Sequence, residues 1–164
     1  MPVDDFHEFA KLHMPIIANY ARRRLYPLEP QELDDIVADV LVVAWRRRAD
    51  IPEGAETPWI IGVTRRVLAN ARRKQYRRLA HQRTLRDDND SKSAEDRVVK
   101  DATVQGALDA LNEADRELLL LHYWEDLAID QIATLLGATA NATAVRVSRA
   151  KKRFSEAFQK FESS

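Results

Sequence analysis

Apolar residues recur at spacings of three and four from the beginning of the chain. Phe6, Phe9, Leu12, His13, Ile16, Ile17 and Tyr20 fall on one stripe, which predicts an amphipathic helix starting near Asp4 or Asp5. Pro15 lies inside that stripe and is expected to kink or break it, because proline removes a backbone donor and crowds the preceding turn. Residues 25–30, with Pro27 and Pro30, end the segment. A second helix is predicted over about 30–48, on the apolar positions Leu33, Ile36, Val37, Val40, Leu41, Val43, Ala44 and Trp45. A third starts near Thr57, a suitable cap with Pro58 at the first helical position. Trp59, Ile60, Val63, Val67 and Leu68 then face a core. Residues 87–94, DDNDSKSA, carry no apolar anchor and read as a linker. Helical pattern resumes near Glu95 through Val98, Val104, Ala107, Leu108 and Leu111, followed by a short helix over 113–124. A helix over 129–136, a break at Gly137 and a last helix over about 140–161 complete the chain. No Asn-Gly or Asp-Gly hairpin signal occurs, so the fold class is all-α, with two small helical domains over 1–82 and 98–164 and a flexible linker over 83–97.

Charge changes this picture through its placement. Of the 164 residues 32% are charged, yet the formal net charge is zero. Between 61 and 86, Arg65, Arg66, Arg72, Arg73, Lys74, Arg77, Arg78, Arg83 and Arg86 follow one another with no Asp or Glu. A neutral protein has gathered positive charge on one helix, a stripe suited to neutralising phosphates and releasing counterions. Trp59 and Tyr76 flank it and supply faces on which unpaired bases can stack, although the spacing of Trp59 to Val63 equally suits core packing.

In the second half, 129–149 read IDQIATLLGATANATAVRVSR. Gly137 stands where a left-handed helix end is needed, and Thr139 can cap the following helix. This is the spacing of a helix-turn-helix, whose second helix enters the major groove. Ala142 and Val145 are expected to face the preceding helix, leaving Thr143, Ala144, Arg146, Ser148 and Arg149 toward DNA, with Lys151, Lys152 and Arg153 extending the basic surface.

Catalysis finds no support in the residues. Cysteine is absent, which excludes thiolate chemistry and disulfides and fits a reducing, cytoplasmic setting. His7 and His13 are six residues apart, not the three or four that bring ligands together on a helix. Neither HExxH, a P-loop nor GxGxxG occurs, so no catalytic, metal or cofactor site is expected. His122, between Leu121 and Tyr123, reads as a partly buried structural residue. No apolar run approaches the roughly 20 residues that cross a bilayer, and Asp4, Asp5 and Glu8 make the start unlike a secretory signal.

Four stretches together resemble bacterial RNA polymerase sigma factors of the extracytoplasmic-function group of the sigma-70 family. FHEFAKLHMPIIANYARRRL (6–25) is similar to the first helix of the family's N-terminal domain, and ELDDIVADVLVVAW (32–45) to its polymerase-binding helix. TPWIIGVTRRVLANARRKQYRR (57–78) is similar to the helix that melts and grips the minus-ten element. The stretch 107–154 is similar to the domain that reads the minus-thirty-five element. The resemblance implies a non-enzymatic transcription initiation factor whose partners are core RNA polymerase, duplex and melted promoter DNA, and an anti-sigma factor. It places Asp35, Asp39, Val40 and Trp45 on the polymerase. It places Ile51, Pro52 and Gly54, in the loop 50–56, at a base flipped out of the minus-ten strand, and Trp59, Arg65, Arg66, Arg72, Arg73 and Lys74 on the minus-ten DNA, the arginines facing promoter phosphates. It places Thr139, Thr143, Ala144, Arg146, Ser148, Arg149 and Lys152 at the minus-thirty-five element. Ala128 stands where the family has a capping Ser. The other reading of the same residues is a stand-alone helix-turn-helix regulator that dimerises through its first two helices.

Overall fold

The computed structural model describes residues 3–85 and 102–164, which form two compact units. Every regular element among the described residues is helical. None of these helices is long and apolar enough to cross a membrane. The predicted linker core 87–94, Val98 and the predicted restart near Glu95 lie outside the described residues; 83–85 belong to a helix.

The first unit holds α1 (Val3–Arg22), a 3₁₀ turn (Pro30–Glu32), α2 (Leu33–Arg46), a second 3₁₀ turn (Arg48–Asp50) and α3 (Glu56–Leu85). Each helix packs on the other two. The apolar stripes supply the core: Phe9, Ile17, Tyr20 and Ala21 from α1, Ile36, Val40 and Ala44 from α2, and Ile60, Ile61, Val63 and Leu68 from α3. Ile17, Ile60 and Ile61 are completely buried, each contributing about 1.5–3 kcal/mol of hydrophobic stabilisation. His13 is buried with them. Its Nδ1 donates to the Phe9 carbonyl at 2.8 Å and its ring stacks on the Phe9 ring.

α1 is helical on both sides of Pro15, so the proline does not break it. Pro15 and Lys11 are both exposed, so the carbonyl deprived of its helical donor is open to water. Thr57 does not cap α3, which begins one residue earlier: the Ala55 carbonyl accepts from the Trp59 amide at 3.2 Å, and the Thr57 hydroxyl lies 3.4 Å from His13 Nε2.

The second unit holds α4 (Ala102–Asp109), α5 (Glu113–Leu119) running into a π turn (Leu120–Trp124), α6 (Ile129–Leu136) and α7 (Ala140–Glu162). α7 is the spine, packing on α4, α5 and α6. Leu108, Leu111, Leu119, Leu120 and Ala150 form a core cluster covered by Val104 and Phe154. Gly106 lets the far end of α7 close on α4, since a Cβ there would stand 3.1 Å from the Phe161 ring. The Asn112 side chain caps α5 through the Asp115 amide at 2.8 Å, and Arg116 donates to the Leu108 and Leu111 carbonyls at 3.0 and 3.1 Å, closing α4. The wide π turn keeps Leu120 and Leu121 buried and ends at Asp126, whose φ of 58° is one that Asp tolerates better than most side chains. His122 is structural, as expected, with Nδ1 2.8 Å from the Leu127 carbonyl.

Candidate nucleic-acid interface

α3 is apolar in its first half and cationic in its second. Past Leu68 no α3 residue up to Thr84 is buried. Arg66, Asn70, Arg73 and Arg77 follow one another at spacings of four, three and four, so they share a face. Arg73 donates to Asn70 Oδ1 and to the Ala69 carbonyl, interactions along its own helix that leave its charge uncompensated. Arg65, Arg66, Arg73 and Lys74 are all exposed, and among the described residues none of them pairs with a carboxylate. Arg72 is half-buried, with Nε 2.9 Å from the Tyr26 carbonyl, and Arg78 lies 3.8 Å from Glu32. Arg72 fastens the middle of α3 to the segment between α1 and α2, so it serves the fold as well as the surface, while the long, exposed Arg78 pair adds little. Tyr76 is exposed beside the stripe. Trp59 is half-buried, with the Arg47 guanidinium 5.5 Å from its ring centre, so one face is covered by a cation rather than open for stacking.

The loop before α3 is a built turn. Pro52 and Gly54 are exposed and Ile51 is half-buried. The Ala55 amide donates to the Pro52 carbonyl at 3.2 Å, and the Gly54 amide donates to Glu56 Oε1 at 3.0 Å. Gly54 has φ 81° and nothing within 4 Å of a Cβ position, so glycine is required for conformation and not for space. The Gly54 amide, then the Glu56 amide itself, hold the Glu56 carboxyl below the usual glutamate range; burial works against them and His13 with them. A depressed carboxylate pKa stabilises the turn fully above the unfolded pKa, and the effect is lost as pH falls through the lower folded value. The Gly54 amide resonance is therefore expected to titrate below the usual glutamate range, and to stop titrating in Glu56→Gln. A pH-independent Gly54 resonance in the native chain would show that the carboxylate does not hold the turn.

On α2 the buried stripe Ile36, Val40 and Ala44 leaves Asp35, Ala38, Asp39 and Val42 exposed on the opposite side. Asp35 and Asp39 thus stand where a partner can reach them. Val40, expected at a docking surface, is fully buried in the bundle and cannot serve as one. Trp45 is half-buried, edge-on to Phe6 at 5.0 Å and covered by Arg48 at 3.9 Å.

In the second unit, α6 and α7 meet at the predicted turn. Gly137 has φ 66°, and the Ala138 amide donates to the Ala133 carbonyl at 2.9 Å, the left-handed helix end that Gly permits. The Thr139 side chain caps α7 by accepting from the Ala142 amide at 3.1 Å. At the other end of α6, Ala128 has no capping side chain, and Gln131 Oε1 accepts its amide at 2.9 Å instead.

The phase of α7 differs from the expected one. Thr143, Val147 and Ala150 are buried, with Thr143 only 1% exposed and its hydroxyl donating to the Thr139 carbonyl at 2.8 Å. Thr143 is therefore a packing residue and not a DNA-facing one, because its hydroxyl is satisfied within its own helix. Val145, expected inside, is 41% exposed, and Ala142 is exposed as well. Ala144, Arg146, Ser148, Arg149 and Lys152 are exposed as expected. Arg153, however, reaches 2.7 Å from Asp115 and is committed to the fold. Asn141, Val145, Ser148 and Lys152 recur at four, three and four on the face opposite the buried stripe. Asn141 and Val145 are missing from the sequence-derived set, as is Asn70 on α3. The spacing of Thr143, Val147, Ala150 and Phe154 was the signal for that phase, once Thr is counted as apolar.

Comparison with known proteins matches both units. Residues 9–78 match the family model for sigma-70 region 2, and residues 102–154 the model for sigma-70 region 4. The chain is 29% identical over 139 residues to a probable RNA polymerase sigma factor, RfaY, of Xanthomonas campestris pv. campestris. That alignment covers 79% of this chain, which spans 35% of the length of the relative. The fold is similar to that of the sigma factor RpoE of Bartonella quintana, crystallised with the anti-sigma factor NepR, with a TM-score of 0.71, 22% identity and coverage of 96% and 98% of the two chains. It is also similar to that of CnrH in complex with the cytosolic domain of CnrY, with a TM-score of 0.64, 19% identity and coverage of 94% and 88%.

Proposed function

Since this chain belongs to the sigma-70 family, with the two-region organisation of its extracytoplasmic-function group, we propose that it binds core RNA polymerase and directs it to particular promoters. In this reading the first unit docks on polymerase through the exposed face of α2 and opens and holds the minus-ten element with α3 and the loop before it. The second unit reads the minus-thirty-five element with α7. The domain boundaries 1–82 and 98–164 belong to the same reading. The chain is a specificity subunit and not an enzyme; its work is binding and strand separation, carried out in the cytoplasm where the polymerase is.

The observation that carries the proposal is a separation of charge within one small bundle. Asp35 and Asp39 are exposed on α2, while Arg65, Arg66, Arg73 and Lys74 stand without carboxylate partners among the described residues of α3. An acidic face suits a protein partner, and uncompensated cations suit phosphates. Exposed Pro52 and Gly54 leave room beside the stripe for a base turned out of its stack, whose unstacking cost of a few kcal/mol must be offset by contacts.

Co-purification with core polymerase and run-off transcription from a selected promoter test the proposal. Absence of core binding, or a homodimer leaving a palindromic footprint without polymerase, would replace it with the stand-alone regulator. Asp35→Ala with Asp39→Ala is expected to weaken core binding by roughly tenfold or more, since charged pairs across an interface lose one partner. Both carboxylates are exposed, so the fold and the affinity of the free chain for duplex DNA are expected to stay unchanged. The similarity to RpoE, a sigma factor solved in complex with the anti-sigma factor NepR, supports binding of an anti-sigma partner in competition with polymerase. Capture from lysate of polymerase alone counts against that part.

A further inference from the structure

The observed phase of α7 decides which side chains can touch base edges, and the set is small. A recognition helix meets bases with residues of its first two turns on the face turned away from its own domain. Those turns begin after the Thr139 cap. Thr143 and Val147 point into the core. Asn141 and Val145, one turn apart, stand on the opposite face and are both exposed. No hydrogen bond among the described residues engages the Asn141 side chain, and Val145 is 41% exposed. Arg146 lies beside the buried stripe, and Arg149 and Lys152 come one and two turns later, where the helix rises away from a groove floor and reaches phosphates.

From this arrangement we infer that Asn141 and Val145 are the base-reading pair of the second unit and that they select two A·T pairs no more than two steps apart; the inference rests on the reading of α7 as a recognition helix. The chemistry of the two side chains sets the preference. A carboxamide presents one donor and one acceptor side by side, which matches adenine N7 and N6 in the major groove and no other base edge equally well. The valine methyls offer no hydrogen bond and suit the C5-methyl of thymine. Residues four apart rise about 6 Å along the helix, less than two base-pair steps of about 3.4 Å. The adenine and the thymine are therefore neighbours or separated by one pair. Ala142 and Ala144, small and exposed on either side, let the helix approach closely without adding a competing polar contact.

The test is selection from a pool of duplex DNA randomised over the upstream promoter element, using the full chain bound to core polymerase. The native protein is expected to enrich an adenine and a thymine within two base pairs of each other. Asn141→Ala is expected to lose about tenfold of the preference for the adenine alone, and Val145→Ala a smaller part of the preference for the thymine alone. Lys152→Ala is expected to weaken all sequences alike and to flatten the salt dependence. Both tested residues are exposed and outside the cap, so circular dichroism should show an unchanged helix content. A native protein that enriches no sequence overturns the recognition-helix reading itself. Clear enrichment that survives both substitutions leaves that reading standing and overturns this assignment.

Discussion

Replacing Arg66, Arg73 and Lys74 together by alanine is expected to lower promoter affinity about a hundredfold at low salt and to flatten its salt dependence. Each phosphate contact contributes about 0.7–0.9 to the slope of log affinity against log salt, so three lost contacts reduce it by between two and three. Charge-assisted contacts are worth roughly 1 kcal/mol or more each, which sets the hundredfold. The three residues are exposed, and none is paired with a carboxylate among the described residues. The bundle should consequently keep its stability. Arg72 is left out on purpose: its guanidinium holds the Tyr26 carbonyl, and its loss would confound surface with fold. Filter or fluorescence binding of holoenzyme across a salt series reads the effect. An unchanged slope would mean that these cations do not meet phosphates.

The second large effect concerns the interior of the other unit. Thr143→Lys is expected to destabilise that unit by about 3 kcal/mol or more, because an unpaired ammonium is placed where almost no water reaches. Thr143→Val keeps the shape and deletes a hydroxyl that bonds only its own helix, so it is expected to cost little. Val145→Lys, two positions on, should leave the fold intact, since that side chain already projects into solvent. Thermal unfolding of the three variants separates the cases. Equal loss at 143 and 145 would refute the observed phase of α7.

That phase marks the boundary of what could be read before the structure. The helices were legible because their apolar stripes are regular: Phe9, Ile17 and Tyr20, or Ile36, Val40 and Ala44, stand where a spacing of three and four puts them. The helix-turn-helix was legible because Gly137 and Thr139 are chemically suited to a left-handed end and a cap, and the structure uses both so. α7 misled because its first turns are built from Ala, Thr and Val. Among such small residues polarity says little, and a threonine bonded to the carbonyl four residues back behaves as an apolar wedge. Val40 misled in the opposite direction: resemblance placed it on a surface, while its position between Ile36 and Ala44 puts it in the core. The basic surface was legible in composition but not in its partners. Whether Arg72 and Arg78 are free or tied depends on the path of 23–32, and no local pattern encodes where Tyr26 and Glu32 come to rest.

α3 is 30 residues long, about 45 Å of continuous helix, and only its first half is clasped by the bundle. The remainder buries no side chain up to Thr84 and is tied at its middle by Arg72 to the segment between α1 and α2. Its guanidinium groups are thereby held at fixed intervals before any strand arrives. The same cations on a loose tail would have to be marshalled on contact, at roughly 1–2 kcal/mol of backbone entropy for each residue brought to order. Folding has already met that cost here, which is what the proposed grip on a nucleic-acid strand would need.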